Sequence, residues 1–174
     1  MKKLILATAI AGLFLASCSN KATTTGSAAD STAIYLKKIT QVAMTSDSAF
    51  GKKDAATAMK DYAANFVEYG SDGKAITNLD TLKKGAASFF DAFPDFSASK
   101  LHATSADSTV VIIGEWSGTF KKEYMKIKPT NKSFKVWDAD IFTFNKAGKI
   151  TTHKSVQSEA TFFSQLDITM PKKK

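Results

Sequence analysis

The feature that most constrains the fold is a change of hydrophobic periodicity at Pro94. Before this residue apolar side chains recur at helical spacing, and after it they alternate with polar side chains, as in strands. The predicted strands cover residues 96–104, 109–120, 133–144 and 149–158, and a glycine-containing turn at 145–148 joins the last two. Helices followed by meandering antiparallel strands indicate an α+β domain, with the helices packed on one face of the sheet.

The N-terminal half is predicted to contain three helices. They run from Asp30 or Ser31 to Gly51, from Asp54 to about Tyr62, and from Thr77 or Asn78 to Phe93. The first residue of each has a side chain that can accept a hydrogen bond from a free backbone N–H. A short strand at 65–69 precedes the third helix, and a last helical segment at 159–166 closes the domain.

The first 18 residues predict a lipid anchor. Two lysines precede an apolar stretch, 4–15, whose 12 residues are too few to span a bilayer and fit the core of a secretory signal peptide. The run that follows, Leu15-Ala16-Ser17-Cys18, looks like a bacterial lipobox, in which the cysteine becomes the acylated N-terminus. We therefore expect residues 1–17 to be removed and Cys18 to carry lipid.

The remaining chain is expected to comprise a flexible tether at 18–29, one domain at 30–168 and a basic tail at 169–174. The predicted location is the bacterial cell envelope, with the membrane as a partner through the lipid. Ser19, rather than an aspartate after the cysteine, favours the outer membrane facing the periplasm if the organism is Gram-negative.

Composition excludes several classes of site. All 24 basic residues are lysines, and without arginine the commonest base-reading contact is lost, so we expect no nucleic-acid partner. A single cysteine excludes a disulfide scaffold and a cysteine-rich zinc site. The two histidines, His102 and His153, are too far apart in sequence for a ligand motif. We expect neither a metal nor an organic cofactor.

Four short motifs occur in a distinctive order: Ala92-Phe93-Pro94-Asp95-Phe96, Trp116-Ser117-Gly118-Thr119-Phe120, Gly148-Lys149-Ile150 and Gln165-Leu166. Together with the order of helices and strands, they resemble the nuclear transport factor 2-like superfamily and, within it, the SnoaL-like polyketide cyclase group. The resemblance covers about 30–167. It implies a cone-shaped fold, a curved sheet around helices with a pocket at the wide end, and reactions that need no cofactor.

The resemblance also locates the family's proton-handling positions. SnoaL-like cyclases typically have a histidine where this chain has Phe120, and an acid/base aspartate where it has Ser158. Serine cannot shuttle a proton unaided near neutral pH, although Glu159 is adjacent. The leading hypothesis is therefore a module that binds a small apolar ligand or a partner, with Trp116 and Phe120 as pocket walls. The alternatives are a cofactor-independent isomerase, dehydratase or cyclase, and a non-catalytic homodimerisation module.

Two acids interrupt an apolar strand face. Asp138 and Asp140 alternate in step with phenylalanines and a valine, which predicts either a polar pocket or an exposed salt bridge. If the turn pairs 145 with 149, Asp140 lies opposite Lys154, with Ser158 on the same face. A slip of one residue would instead bring His153 to Asp140, as a base and the group that orients it. The candidate bases are thus Asp140, Glu159 and His153.

Overall fold

A six-stranded sheet wraps around a long N-terminal helix. A computed structural model of the protein describes residues 25–70 and 73–169. The helices are α1 (Thr25–Gly51), α2 (Ala55–Ala58), α3 (Leu79–Ala92) and α4 (Glu159–Gln165). The strands are β1 (Tyr62–Tyr69), β2 (Ala75–Ile76), β3 (Ser97–Ala106), β4 (Thr109–Thr119), β5 (Ser133–Phe144) and β6 (Ile150–Val156). The predicted α+β class is confirmed.

The strands are ordered β2-β1-β6-β5-β4-β3 across the sheet. Neighbours are antiparallel except β1 and β6, which are parallel. The helix α1 packs on the inner face, where Ile39 and Ala43 contact buried side chains of β4, β5 and β6. The outer face exposes Ile113, Trp137 and Val156, and homodimerisation through it stays a prediction.

Two of the predicted helix caps are confirmed. The Asp54 side chain accepts a hydrogen bond from the Thr57 N–H at 3.0 Å, and Asn78 accepts one from Thr81 at 2.8 Å. The first helix differs from its prediction, because it begins at Thr25 rather than at Asp30 or Ser31. Ala28 and Ala29, which have the highest helix propensity of any residue type, precede the predicted cap and let the helix continue into the segment predicted as tether.

Two details of the sheet were not predicted from the sequence. The strand β1 begins at Tyr62, three residues before the predicted start, because β6 pairs with it from far along the chain. The two-residue strand β2 is too short to show a periodicity.

No helix in the described ranges combines the length and apolar character needed to cross a bilayer. The predicted signal peptide, Cys18 and residues 170–174 lie outside the described residues.

A β-bulge sets the register of the last hairpin. The predicted pairing of Asn145 with Lys149 forms, with the Asn145 N–H donating to the Lys149 carbonyl at 3.0 Å. One step further the pairing shifts, and Thr151 becomes an extra residue on β6. Beyond the bulge Lys154 lies opposite Ile141, so the predicted pairing of Lys154 with Asp140 is wrong.

Aromatic rings fill the part of the interior between α3 and the strands. The buried rings are Phe93, Phe96, Trp116, Phe120 and Phe134. Trp116 stacks on Phe96, with ring centroids 5.4 Å apart, and Phe93 stacks on Phe120 at 5.3 Å. The two predicted pocket walls, Trp116 and Phe120, are only 7% and 1% exposed. These two side chains therefore form part of a packed core.

Candidate functional site

Five ionisable side chains from four elements lie close together on the inner face of the sheet. We call them the acid–histidine cluster: Asp47 of α1, Glu68 of β1, Asp138 and Asp140 of β5, and His153 of β6. Asp47 and Asp140 are 4% and 5% exposed. Four acids around one histidine are an unusual group to bury, because charges leave water at a high cost unless they are paired or neutralised.

Local structure explains how the acids come to face inward. Ile39, Ala43 and Asp47 are spaced four residues apart on α1, so Asp47 continues the apolar stripe that packs on the sheet. On β1, Glu68 lies two residues after the buried Phe66 and therefore points to the same side. Asp140 shares the inner face of β5 with Phe142 for the same reason.

His153 is held between two carboxylates. Its Nδ1 lies 2.8 Å from Glu68 Oε2, and its Nε2 lies 3.2 Å from Asp140 Oδ1. Burial by itself lowers the pKa of His153, but the hydrogen bonds and charges of Asp140 and Glu68 outweigh burial and raise that pKa to about 10. The imidazole is therefore doubly protonated near neutral pH and donates through both nitrogens.

Asp47 is the neutral member of the cluster. Burial raises the pKa of Asp47 to about 9, and the nearby charge of Asp140 adds to this effect. At neutral pH its carboxyl group keeps a proton, and one of its oxygens, Oδ2, is buried without a hydrogen-bond partner. A buried acid with an unused oxygen can exchange a hydrogen bond or a proton with a bound molecule.

Two hydroxyl groups donate hydrogen bonds to acids of the cluster. The Tyr62 hydroxyl donates to Glu68 Oε2 at 3.1 Å, and burial raises the pKa of Tyr62 well above its usual value. On the other side, the Ser155 hydroxyl donates to Asp138, whose second oxygen is buried and unpartnered. Burial raises the pKa of Asp138, and repulsion from Asp140 contributes.

Three members of the cluster could hold a metal ion. Ligand atoms of Asp47, Asp140 and His153 all lie within 4.8 Å of one another. For His153 to coordinate an ion, however, Nε2 would have to lose both its proton and its hydrogen bond to Asp140. The protons on Asp47 and His153 offset part of the surplus of acids, and an ion would have to displace them, so this arrangement favours proton chemistry over metal binding.

The comparison with known families bears on this cluster. The model of the SnoaL-like polyketide cyclase family matches residues 40–166, most of the chain. The chain belongs to this family. The match includes α1 from Thr40 onward and all six strands, and therefore every member of the acid–histidine cluster. No match was found among curated proteins.

Solved structures show that the SnoaL-like fold extends over most of the chain. A phenazine biosynthesis-related protein of Pseudomonas aeruginosa is 14% identical, with a TM-score of 0.67; the match covers 83% of this chain and 95% of that one. A Xanthomonas campestris pv. campestris protein proposed to be a polyketide cyclase is 12% identical, with a TM-score of 0.70 and coverage of 76% and 98%. TsrD of Streptomyces laurentii is 14% identical, with a TM-score of 0.63 and coverage of 75% and 95%. At these identities the similarity establishes the nuclear transport factor 2-like fold alone.

In this SnoaL-like chain, the three residues that the family resemblance singled out have structural roles. Ser158 caps α4, because its hydroxyl oxygen accepts from the Thr161 N–H at 3.2 Å. Glu159 lies in the first turn of α4, where an acid complements the helix dipole. Phe120, which replaces the family's histidine, is part of the aromatic core.

Among the residue-derived candidates, Asp138, Asp140 and His153 come together, whereas Lys154 is exposed on the other side of β6. The contact between His153 and Asp140 that the slipped alternative predicted is observed, but its register is wrong. The strands shift the other way, so Phe142 lies opposite His153 and Ser155 lies opposite Asp140. Sequence reasoning missed Asp47 and Glu68. Both could have been identified from the sequence, because each is an acid within an otherwise apolar pattern. The pattern has helical spacing for Asp47 and alternates as in a strand for Glu68.

Proposed function

We propose that the protein is a lipid-anchored SnoaL-like enzyme that moves a proton on a small carbonyl compound without a cofactor, as isomerases, dehydratases and cyclases do. The observation that carries this proposal is the buried Asp47 carboxyl group, which lies within 4.8 Å of ligand atoms of Asp140 and His153 and has one oxygen, Oδ2, without a partner. Acid/base chemistry on carbonyl substrates needs such a group, poised in a site that excludes water.

The two aspartates supply complementary roles. Asp47 keeps its proton and can donate it, through Oδ2, to a substrate oxygen on which negative charge develops. Asp140, which accepts a hydrogen bond from His153, takes the proton from the carbon next to the carbonyl group, and the positive charge of the imidazole stabilises the carboxylate that Asp47 becomes. Glu68 fixes the imidazole from the opposite side. Because the acids interact closely, they titrate as a unit rather than one by one.

Exposure of the surrounding residues indicates the side of approach. Asp138 is half-buried and its hydrogen-bond partner Ser155 is exposed, whereas Asp47 and Asp140 lie deeper. A substrate entering past Asp138 would meet the free oxygen of that residue first. Its apolar part would then face the buried side chains of the inner sheet.

The catalytic alternative is better supported than the apolar-ligand module. Trp116 and Phe120, the expected pocket walls, are occupied with other rings. Two clefts among the described residues, of about 310 and 570 Å³, lie on the surface and include neither of them. Neither cleft includes a member of the acid–histidine cluster, so a ligand of either kind would require side chains to move. Trp116 Nε1 is also buried without a partner, but it can only donate a hydrogen bond, whereas the unpartnered acids of the cluster can also transfer a proton.

Proton abstraction can be measured before the substrate is known. We expect the protein to catalyse deuterium incorporation next to the carbonyl group in at least one member of a panel of ketones and β-dicarbonyl compounds in D₂O, followed by NMR. Asp47→Asn should slow this exchange by about 100-fold or more, since general acid–base groups contribute that much.

The matched control is Asp91→Asn, which changes an exposed acid outside the cluster and should leave the exchange rate unchanged. Glu159→Gln tests the sequence-derived alternative base. Exchange that depends on Glu159 and not on Asp47 would contradict the assignment, as would a folded wild-type protein inactive on the whole panel.

The anchor is proposed from the leader sequence, and its key residue is Cys18. Removal of residues 1–17 takes the apolar run away, so the mature protein would depend on acyl chains at Cys18, and two or more such chains hold a protein stably on a bilayer. We expect Cys18→Ala to block lipidation and accumulate uncleaved precursor. Mass spectrometry of the wild-type membrane fraction should find an N-terminal peptide that begins at a diacylglyceryl cysteine. Recovery of mature soluble protein with an unmodified Cys18 would contradict the anchor.

A further inference from the structure

The connection between β4 and β5 concentrates the positive charge of the chain. Residues 121–132 contain five lysines and one glutamate, a net charge of 5 − 1 = +4, which is half of the net +8 of the whole sequence. Two of these lysines are paired with acids outside the loop: Lys122 with Asp91 and Lys132 with Asp167. The exposed lysines Lys121, Lys126 and Lys128 supply the remaining charge, with Glu123 beside them and Asp95 near Lys121.

An apolar side chain projects from the same loop. Met125 is 76% exposed, more than any other large hydrophobic residue of the described ranges. The residues on either side of the tip are fixed, since Tyr124 and Ile127 exchange two backbone hydrogen bonds of 3.1 and 2.8 Å. Tyr124 packs on Phe89 with ring centroids 5.7 Å apart. The loop therefore presents Met125 on a rigid support.

The backbone of the tip is unusual. Met125 and Lys126 both have positive φ angles, 49° and 65°, as the central residues of a type I′ turn do. Such turns favour Asn-Gly, and a residue with a long side chain is disfavoured in this conformation. Folding alone does not explain why a methionine and a lysine occupy these positions, and strained tips of this kind are often retained for function.

We propose that the 121–132 loop docks on an anionic membrane surface, with Met125 entering the interface and Lys121, Lys126 and Lys128 contacting lipid phosphates. The loop is a projection rather than a groove, so it suits a flat, deformable surface better than a complementary protein pocket. Lysine side chains can extend toward headgroups while their carbon stems cover apolar surface. The proposal does not depend on the enzymatic function.

The position of the loop adds an orientation. The loop is attached to the end of α3, where the Lys121 N–H donates to the Ala92 carbonyl at 2.8 Å. The turn at 145–148, at the other end of β5, instead contacts Tyr35 and Lys38 in the first half of α1. The loop and the start of α1 thus lie toward opposite ends of a helix about 40 Å long. Attachment at both would lay α1 along the bilayer.

The test compares full-length variants that all carry Cys18→Ala and share the same N-terminal segment, so that no acyl chain contributes to vesicle binding. Met125→Ser with Lys126→Glu and Lys128→Glu should reduce co-sedimentation with phosphatidylglycerol-containing vesicles by about tenfold or more at low salt, with little effect on phosphatidylcholine vesicles. The control, Ile34→Ser with Lys83→Glu and Lys84→Glu, removes one exposed apolar side chain and reverses two lysines elsewhere. It should change binding by less than about twofold. Circular dichroism establishes that both are folded.

A second readout follows the tip itself. In the Cys18→Ala background, Met125→Cys labelled with an environment-sensitive dye should show a blue shift with anionic vesicles. Equal losses in both triple variants, or no shift of the dye, would overturn the proposal. Binding to polyaspartate without partition to vesicles would assign the loop to an acidic protein partner and overturn it as well.

Discussion

Replacing His153 by glutamine is expected to lower the free energy of unfolding by about 3–5 kcal/mol, because it leaves buried carboxylates without their counter-charge. Glu68 and Asp140 both accept hydrogen bonds from the imidazole, and their side chains are only 13% and 7% exposed. Glutamine can replace part of the hydrogen bonding but none of the charge. Urea denaturation at neutral pH, followed by circular dichroism, measures the loss.

A double variant tests whether the loss of charge, rather than the loss of packing, causes the destabilisation. Asp140→Asn together with His153→Gln removes the positive group and one of its two acids, so the double variant should recover part of the stability lost by His153→Gln alone. Asp47→Asn replaces a neutral acid by a neutral amide and should cost far less. A loss below about 1 kcal/mol for His153→Gln would mean that solvent already screens the cluster.

The fold was readable from sequence because its main determinants are local. The switch of periodicity at Pro94 separates helices from strands, and the Asp54 and Asn78 caps lie where their side chains predict. The predictions that were wrong concern features that depend on residues distant in sequence. The start of β1 depends on β6, and the shift of β6 depends on a single extra residue, Thr151, that no alternation pattern shows.

The candidate site was predicted only in part for the same reason. Asp140 and His153 were both candidates, but their meeting depended on the bulge that also turned Lys154 outward. Asp47 and Glu68 come from α1 and β1, whose packing against β5 and β6 is a tertiary event. An acid within an apolar helical stripe, such as Asp47 after Ile39 and Ala43, is the sequence signal that would have identified the missing partner.

Stability should fall as pH rises from about 7 to about 9, with a slope of about 1.4 kcal/mol per pH unit for each proton that the folded protein retains and the unfolded chain loses. Asp47 has its pKa raised to about 9 from 3.8, and His153 to about 10 from 6.5. Up to about pH 8 the folded state therefore holds both protons and the unfolded state almost neither, and toward pH 9 Asp47 begins to lose its proton in the folded state as well. Both groups make stability decrease with rising pH, and denaturation curves at several pH values measure the slope.

The variant Asp47→Asn shows how much of the dependence of stability on pH comes from Asp47. Because an asparagine side chain has no proton to lose in this range, Asp47→Asn should remove about one proton from the linkage, roughly halving the slope, and should leave the His153 contribution in place. Asp91→Asn, at an exposed ion pair, should leave the slope unchanged. A slope that Asp47→Asn leaves unchanged would mean that Asp47 is ionised in the folded protein and that His153 alone supplies the pH dependence. The Asp47 carboxyl would then lack the proton that the proposed chemistry requires, so this measurement tests the catalytic assignment without any substrate.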